Sequence, residues 1–457
     1  MMDLVVQGRL VLGEGVRPGW VAVRAGRIAA IGEGAPPAAA RMVDAGDDWV
    51  LPGIVDGQTH AGSRLGLAGI GPTTRSAAAG GVTTVVDMPY DHPQPLNTAA
   101  LLQDKIAAIA ETALCDMALY GTVMPGQGVG DVAALVEGGV CAFKISAYES
   151  SPTRFPRIPA DLTLDLFEAL AATDLPLGLH NEDQEIVHAR IAAARAAGRD
   201  GLAAHSASRP PAAELAASAA FLELGATAEA HAHLVHLSTP RGFALVENYL
   251  ADGARATGEL CVHYLWFDPA RDGDRLGALM KVNPPIRPGQ CEALWAEIEA
   301  DRVAFVSSDH SSWPVEGKHT PSIFEAGAGV PGVETLLPAF FTLALRHRAG
   351  DGDAAAHLAA EWLAERPARF FGLANKGALR IGADADITVL SFGDFAWDEA
   401  KAHDGLAWSP FHGERFAGRV AATFLRGTQV WDGTEITAAP GVGRYVPRAG
   451  AGWFAGD

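Results

Sequence analysis

The chain has 457 residues, 49% of them hydrophobic and 19% charged, and its 35 basic against 54 acidic side chains give a formal charge of −19. It is too long for one core and too apolar for disorder, so one large and one small domain are expected. The acidic balance disfavours a nucleic-acid partner, and four cysteines far apart in sequence, Cys115, Cys141, Cys261 and Cys291, exclude a disulfide scaffold.

The first residues, MMDLVVQGRLVLGEG, carry an acid and no basic segment followed by a long apolar run, so no membrane partner and a cytoplasmic location are expected. Residues 1–50 alternate apolar and polar positions between Gly and Pro turns, as at 4–7 and 20–24, which predicts short antiparallel strands. Eight apolar strand segments follow, at 51–56, 82–88, 117–123, 140–146, 175–180, 233–237, 258–263 and 303–309. Ala- and Leu-rich helical stretches, among them 99–111, 162–172, 212–224 and 291–300, fill the gaps and predict a parallel α/β sheet. Strand texture returns at 377–382, 386–390 and 420–425. The expected architecture is a (β/α)8 TIM-like barrel over 51–375, with a small β-sandwich domain formed by both chain ends, 1–50 and 376–440. A Gly-rich tail, 441–457, is expected to be loosely ordered.

A count of eight strands does not separate a closed barrel from a long open sheet, but the polar residues do. His60 follows the first strand, Lys144 lies near the end of the fourth, and His180 ends the fifth. His236 lies near the end of the sixth, and Asp309 ends the eighth. In a closed parallel barrel these ends converge on one mouth, where such folds carry their sites. Each histidine alone also fits a surface or satisfied core position; together, three imidazoles and a carboxylate suit zinc or a similar divalent metal. Lys144, in Val-Cys-Ala-Phe-Lys-Ile-Ser, would be costly as a desolvated ammonium. It reads either as a salt-bridged lysine or as a lysine carbamate, an anionic ligand that bridges two metals.

Several segments resemble the cyclic amidohydrolases, the group that holds allantoinases, hydantoinases, dihydropyrimidinases and dihydroorotases. They include Leu-Pro-Gly-Ile-Val-Asp-Gly-Gln-Thr-His at 51–60, Ala-Gly-Gly-Val-Thr-Thr-Val-Val-Asp-Met-Pro at 79–89, Phe143-Lys144 and His180-Asn181-Glu182. Further along stand His-Leu-Ser-Thr at 236–239, Glu-Leu-Cys-Val-His-Tyr at 259–264, Asn-Pro-Pro-Ile-Arg at 283–287 and Ser308-Asp309-His310. The last two segments look nearest to allantoinase. The resemblance covers nearly the whole chain and implies a small-molecule cyclic amide or ureide as substrate and a homotetramer as the assembly. It implies a carbamate on Lys144, one metal on His180 and His236, and another on His60 and Asp309. A metal-activated hydroxide would open the ring, with Asp309 as general acid and base.

One position departs from the family pattern. His-x-His is expected after the first strand, and this chain has Gln58-Thr59-His60. Gln58 can ligate through oxygen in a binuclear site, leave a mononuclear one, or mark a catalytically silent relative that serves as a scaffold. A hydrolase of another imide or lactam is a further alternative.

Four residues are candidates for contacting substrate. Tyr148, four residues after Lys144, could donate to an oxyanion or pack at the rim. Asn283 could present its amide to the ring or simply form a turn. Trp313 could wall the pocket or fill a core. Arg64 could anchor a carboxylate, although it stands four residues after His60 where the dihydroorotase pattern has its arginine at the position of Gly62, which disfavours dihydroorotate. His263, Asp87 and His310 are expected to orient neighbours through hydrogen bonds. The segment 327–332 reads as pocket lining or as a flexible loop.

Overall fold

The computed structural model describes residues 1–455. The chain opens with four strands, β1 (Met2–Leu12), β2 (Gly15–Arg24), β3 (Arg27–Gly32) and β4 (Ala39–Pro52). Only Gly53 separates β4 from β5 (Ile54–His60), the first barrel strand. The segment expected as one strand from 51 is therefore split, because Leu51 and Pro52 pair outside the barrel.

The barrel continues through β6 (Val82–Asp87), β7 (Asp116–Gly121), β8 (Ala142–Ser146), β9 (Leu177–His180) and β10 (Ala232–Leu234). The seventh strand is broken into β11 (Ala256–Gly258) and β12 (Leu260–Cys261), and the eighth into β13 (Val306–Ser307) and β14 (His310–Ser311). Parallel pairing runs without a gap from β5 to β11, passes from β12 to β13, and returns from β14 to β5, where His310 sits opposite Thr59. The sheet is thus closed, and the carboxyl ends of its strands face one mouth. Helices such as Ala99–Thr112, Pro211–Thr227 and Leu336–His347 cover the outside, their apolar faces set against strands buried on both sides.

Three late strands, β15 (Ile387–Ala396), β16 (Arg415–Leu425) and β17 (Thr428–Trp431), join the first four in one seven-stranded sheet of order β17-β16-β15-β4-β1-β2-β3. Both chain ends thus build the small domain. Its pairings are antiparallel except β1 with β4, and its strands share one apolar core that includes Leu4, Val6, Val21, Ile387 and Phe424. Ion pairs fasten it to the barrel: Lys376 reaches Asp116 at 2.5 Å, Asp386 at 2.7 Å and Asp384 at 3.0 Å.

The tail differs from expectation. Met117 donates its N–H to Arg444 O at 2.9 Å, Val446 donates to Met117 O at 2.8 Å, and Arg448 donates to Gly139 O at 3.0 Å. Residues 444–448 therefore form a strap along the barrel, because their backbone groups find partners at the ends of strands and turns rather than in water.

Candidate active site

The barrel mouth holds a cavity of about 360 Å³ lined by His60, Lys144, His180, His236 and Asp309. Tyr148, Asn283, Trp313 and Arg64 line the same cavity, so the fold brings together the candidate ligands and substrate contacts except Gln58, which lies buried beneath it; Asp87, His263 and His310 do not line it.

The side chains fall into two poles. At one, His60 Nε2 lies 3.3 Å from Asp309 Oδ1, and Gln58 Nε2 donates to the same oxygen at 2.8 Å. Gln58 Oε1 is buried with no partner among the described residues, so its carbonyl is a free donor atom of the type a hard cation accepts. Burial works to raise the Asp309 carboxyl, but His60, His263 and Lys144 outweigh it and hold the group below its ordinary value, as an anion. At the other pole, His180 Nδ1 and His236 Nε2 approach to 3.0 Å. Burial first, then Lys144 and Arg209, push the His180 imidazole down against the upward pull of Glu182, and burial, His180 and Lys144 push His236 down, so both are neutral bases. His180 gives its Nε2 proton to Glu182 at 3.0 Å, which turns the bare Nδ1 toward the cavity.

Lys144 lies within electrostatic reach of both poles and is 1% exposed. Burial lowers its amine to about 8, against the upward pull of Glu259 and Asp309. Among the described residues its Nζ has only Met88 Sδ, at 4.0 Å, as a neighbour of hydrogen-bonding type. A salt-bridged lysine is therefore not what the strand carries. Gly178 on the neighbouring strand leaves room for its stem, since a Cβ there would stand 3.2 Å from Lys144 Cδ. Glu259, also fully buried, is pushed up to about 8 by burial despite Lys144. The dry interior thus favours the protonated acid at Glu259 and makes the Lys144 ammonium easier to deprotonate.

Backbone strain marks both poles. His236 and Asp309 adopt φ of 42° and 49°, a left-handed region that costs a non-glycine residue about 1–2 kcal/mol. At Asp309 the turn interrupts the eighth strand and carries the carboxylate to the mouth. Asp56 secures it from below, accepting the Ser308 N–H at 2.9 Å and the Ser308 hydroxyl.

The donor set fits a divalent cation: neutral imidazoles and a carboxylate face one cavity, with an orphaned amide oxygen beneath it and a buried amine whose charged form burial disfavours. Cys261, His263 and Asp309 form a further group whose ligand-type atoms lie within 4.8 Å of one another. His263 departs from expectation, because neither ring nitrogen has a hydrogen-bond partner and it orients no neighbour. Asp87 behaves as expected, accepting from Thr59 Oγ1 at 2.9 Å and Ala61 N at 2.7 Å and pairing with Lys105 at 2.6 Å. His310 accepts the Gly332 N–H at 3.2 Å.

The segment 327–332 is no flexible loop. Gly329 donates to Lys281 O at 2.9 Å, and Lys318 Nζ donates to Gly327 O at 2.9 Å. Gly327 packs so closely on Trp313 that a Cβ there would lie 2.4 Å from the indole.

Sequence reading missed four contributors. Glu182 stands two residues beyond the end of β9, and it also accepts from the buried Arg209, whose guanidinium lies 4.6 Å from the Tyr148 ring centroid. Glu259 lies in the break of the seventh strand, where only its spacing from the strand residues could have singled it out. Arg209 and Arg154 come from connections with no periodic signal.

The amidohydrolase family profile matches residues 49–430. An allantoinase of Rubrobacter xylanophilus is 36% identical over 451 residues, covering 97% of each chain, and an L-hydantoinase of Paenarthrobacter aurescens is 31% identical over 98% of each. The solved L-hydantoinase of Arthrobacter aurescens superposes with a TM-score of 0.92 at 30% identity, covering 98% of this chain and 100% of that one. A closed barrel with its polar strand ends on one cavity, a small sheet built from both chain ends, and likeness over nearly the full length agree: the chain belongs to the amidohydrolase family.

Proposed function

We propose that the protein hydrolyses the C–N bond of a cyclic amide or ureide, an allantoin- or hydantoin-like ring, with the aid of a divalent metal. The observation that carries this reading is the convergence of His60, Lys144, His180, His236 and Asp309 on one cavity. The names of the allantoinase and hydantoinase relatives support the ring class. Zinc as the metal, a carbamate on Lys144, a homotetrameric assembly and a cytoplasmic location belong to the same proposal and rest on the resemblance.

His180 and His236 would hold one ion and His60 and Asp309 another, with Lys144, as its carbamate, between them and the Gln58 oxygen as a further donor. When bound, the metal supplies Lewis-acid polarisation of the ring carbonyl and acidifies water. Asp309, ionised and aimed into the cavity, takes the proton from the attacking water and passes it to the leaving nitrogen. Asn283, with its buried Oδ1 unpartnered, accepts an N–H of the ring, and Tyr148 donates to the oxygen that gains charge. Trp313 packs against the ring face and limits water at the reacting carbon.

The test combines metal analysis with a substrate panel of allantoin, hydantoin, dihydrouracil, dihydroorotate and succinimide, assayed with added zinc, manganese or cobalt. Ring opening by protein that holds about one metal or more per chain is the expected result. Protein that neither binds metal nor opens any ring is a scaffold, and the proposal fails. Gln58→His adds an imidazole to the His60 pole and is expected to tighten metal binding there; unchanged metal content would show that position 58 does not face the ion.

A further inference from the structure

We infer that the ring taken up at this site carries a carboxylate substituent, held at the rim by Arg64 and Arg154. The inference rests on the proposed cyclic-amide reading and narrows its substrate class.

In a chain of formal charge −19, the cavity wall nevertheless presents Arg64, Arg154, Arg209 and Lys281. Two of these cations are already committed. Arg209 pairs with Glu182, and Lys281 Nζ donates to the carbonyls of Ile323, at 2.6 Å, and Ala326. Among the described residues neither Arg64 nor Arg154 has a carboxylate within 4.0 Å. Glu149 and Glu325 also face the cavity, but both are exposed at the rim and pair with neither arginine.

Local geometry holds the two guanidinium groups near each other. Arg154 Nη1 donates to the carbonyls of Ser63, at 2.5 Å, and Tyr90, at 3.2 Å, which fixes it beside the residue that precedes Arg64. Arg64 lies over the Trp313 indole, 4.1 Å from its centroid, an arrangement that uses the face of the guanidinium and leaves its N–H edge free. Partial burial and then the Arg64 charge lower the Arg154 guanidinium, and the pull of Asp91 in the other direction does not cancel them. Asp91 is itself held by Lys105 at 2.8 Å. Two like charges kept together without a counter-ion repel each other, and an incoming carboxylate relieves that repulsion while accepting charge-assisted hydrogen bonds. Both arginines lie on the same cavity as Asp309 and His60, so a short side arm on the ring is the fitting donor of that carboxylate.

Calorimetric titration of the metal-loaded protein with hydantoin-5-acetate and with its neutral amide tests this directly, since the two match in size and the amide replaces one anionic acceptor oxygen by an uncharged NH2. The acid is expected to bind about tenfold or more tightly than the amide at low ionic strength, with the preference shrinking as salt rises. Arg64→Gln and Arg154→Gln should each reduce the acid-to-amide ratio several-fold, and the double variant should bring it near one. Using the ratio within each variant corrects for any loss of folded protein. A ratio near one in the unsubstituted protein, no binding of either probe, or a ratio that survives the double substitution would overturn the inference. Binding is read apart from turnover: a preference for the acid without ring opening refutes only the hydrolase reading, whereas ring opening without preference refutes only the carboxylate subsite.

Discussion

Glu182 offers a sharp test of how the His180 pole is built. The change Glu182→Gln keeps the shape of the side chain and removes its charge. Burial acts to raise this carboxyl, yet Arg209 and His180 more than compensate and hold it at about 2. A drop from 4.5 to about 2 corresponds to about 3 kcal/mol in favour of the anion. Because the folded value is depressed, this contribution is fully present above about pH 4.5 and is lost as pH falls through about 2. In the Gln variant Arg209 stays buried without a counter-charge, and His180 loses the anion that fixes its tautomer. Zinc affinity should fall by about 10–100-fold, the usual consequence of losing such a partner. Competitive titration against a chromophoric chelator near neutral pH measures that fall. Thermal denaturation across the acid range should show a lower midpoint at neutral pH and a shallower loss between about pH 4.5 and 2. A variant that binds zinc as tightly as the parent and melts at the same temperature would refute the reasoning.

Further outcomes follow from two buried lysines, Lys144 and Lys105. The Lys144 amine, lowered to about 8, gains its neutral form as pH rises through that value, so bicarbonate should speed metal uptake by the metal-free protein more above about pH 8 than at about pH 6.5. Lys144→Met should abolish both the bicarbonate effect and metal retention, read by elemental analysis. Lys105→Met leaves Asp87 and Asp91 buried without their cation and should destabilise the fold by about 3–5 kcal/mol in chemical denaturation, with Asp87→Asn in the same chain recovering part of the loss.

Much of this was legible in the sequence because several barrel strands are apolar runs with a polar residue at or near their carboxyl end. His60, His180 and Asp309 interrupt such runs, and only the carboxyl end of a buried parallel strand accommodates that interruption. Strand limits were less legible where geometry overrides periodicity. The apolar run at 258–263 is broken after Gly258, and its last residues turn into the short helix Val262–Trp266, which leaves His263 near Asp309 but with no hydrogen-bond partner among the described residues. The parallel pairing of β1 with β4 leaves no local trace either, since it joins segments separated by a whole hairpin. Arg209 and Arg154 were invisible for the same reason. Each reaches the cavity from a connection whose path is set by tertiary packing, and nothing in its neighbours' spacing indicates which way it points.

The left-handed backbone at His236 and Asp309 bears on how this chain could be improved or spoiled. Glycine at either position would relax the main chain and gain stability while deleting a donor from the mouth. Mutagenesis selected for heat tolerance alone would therefore reward the erosion of both poles, and libraries built on this chain need a functional screen to keep the barrel from becoming sturdier and idle.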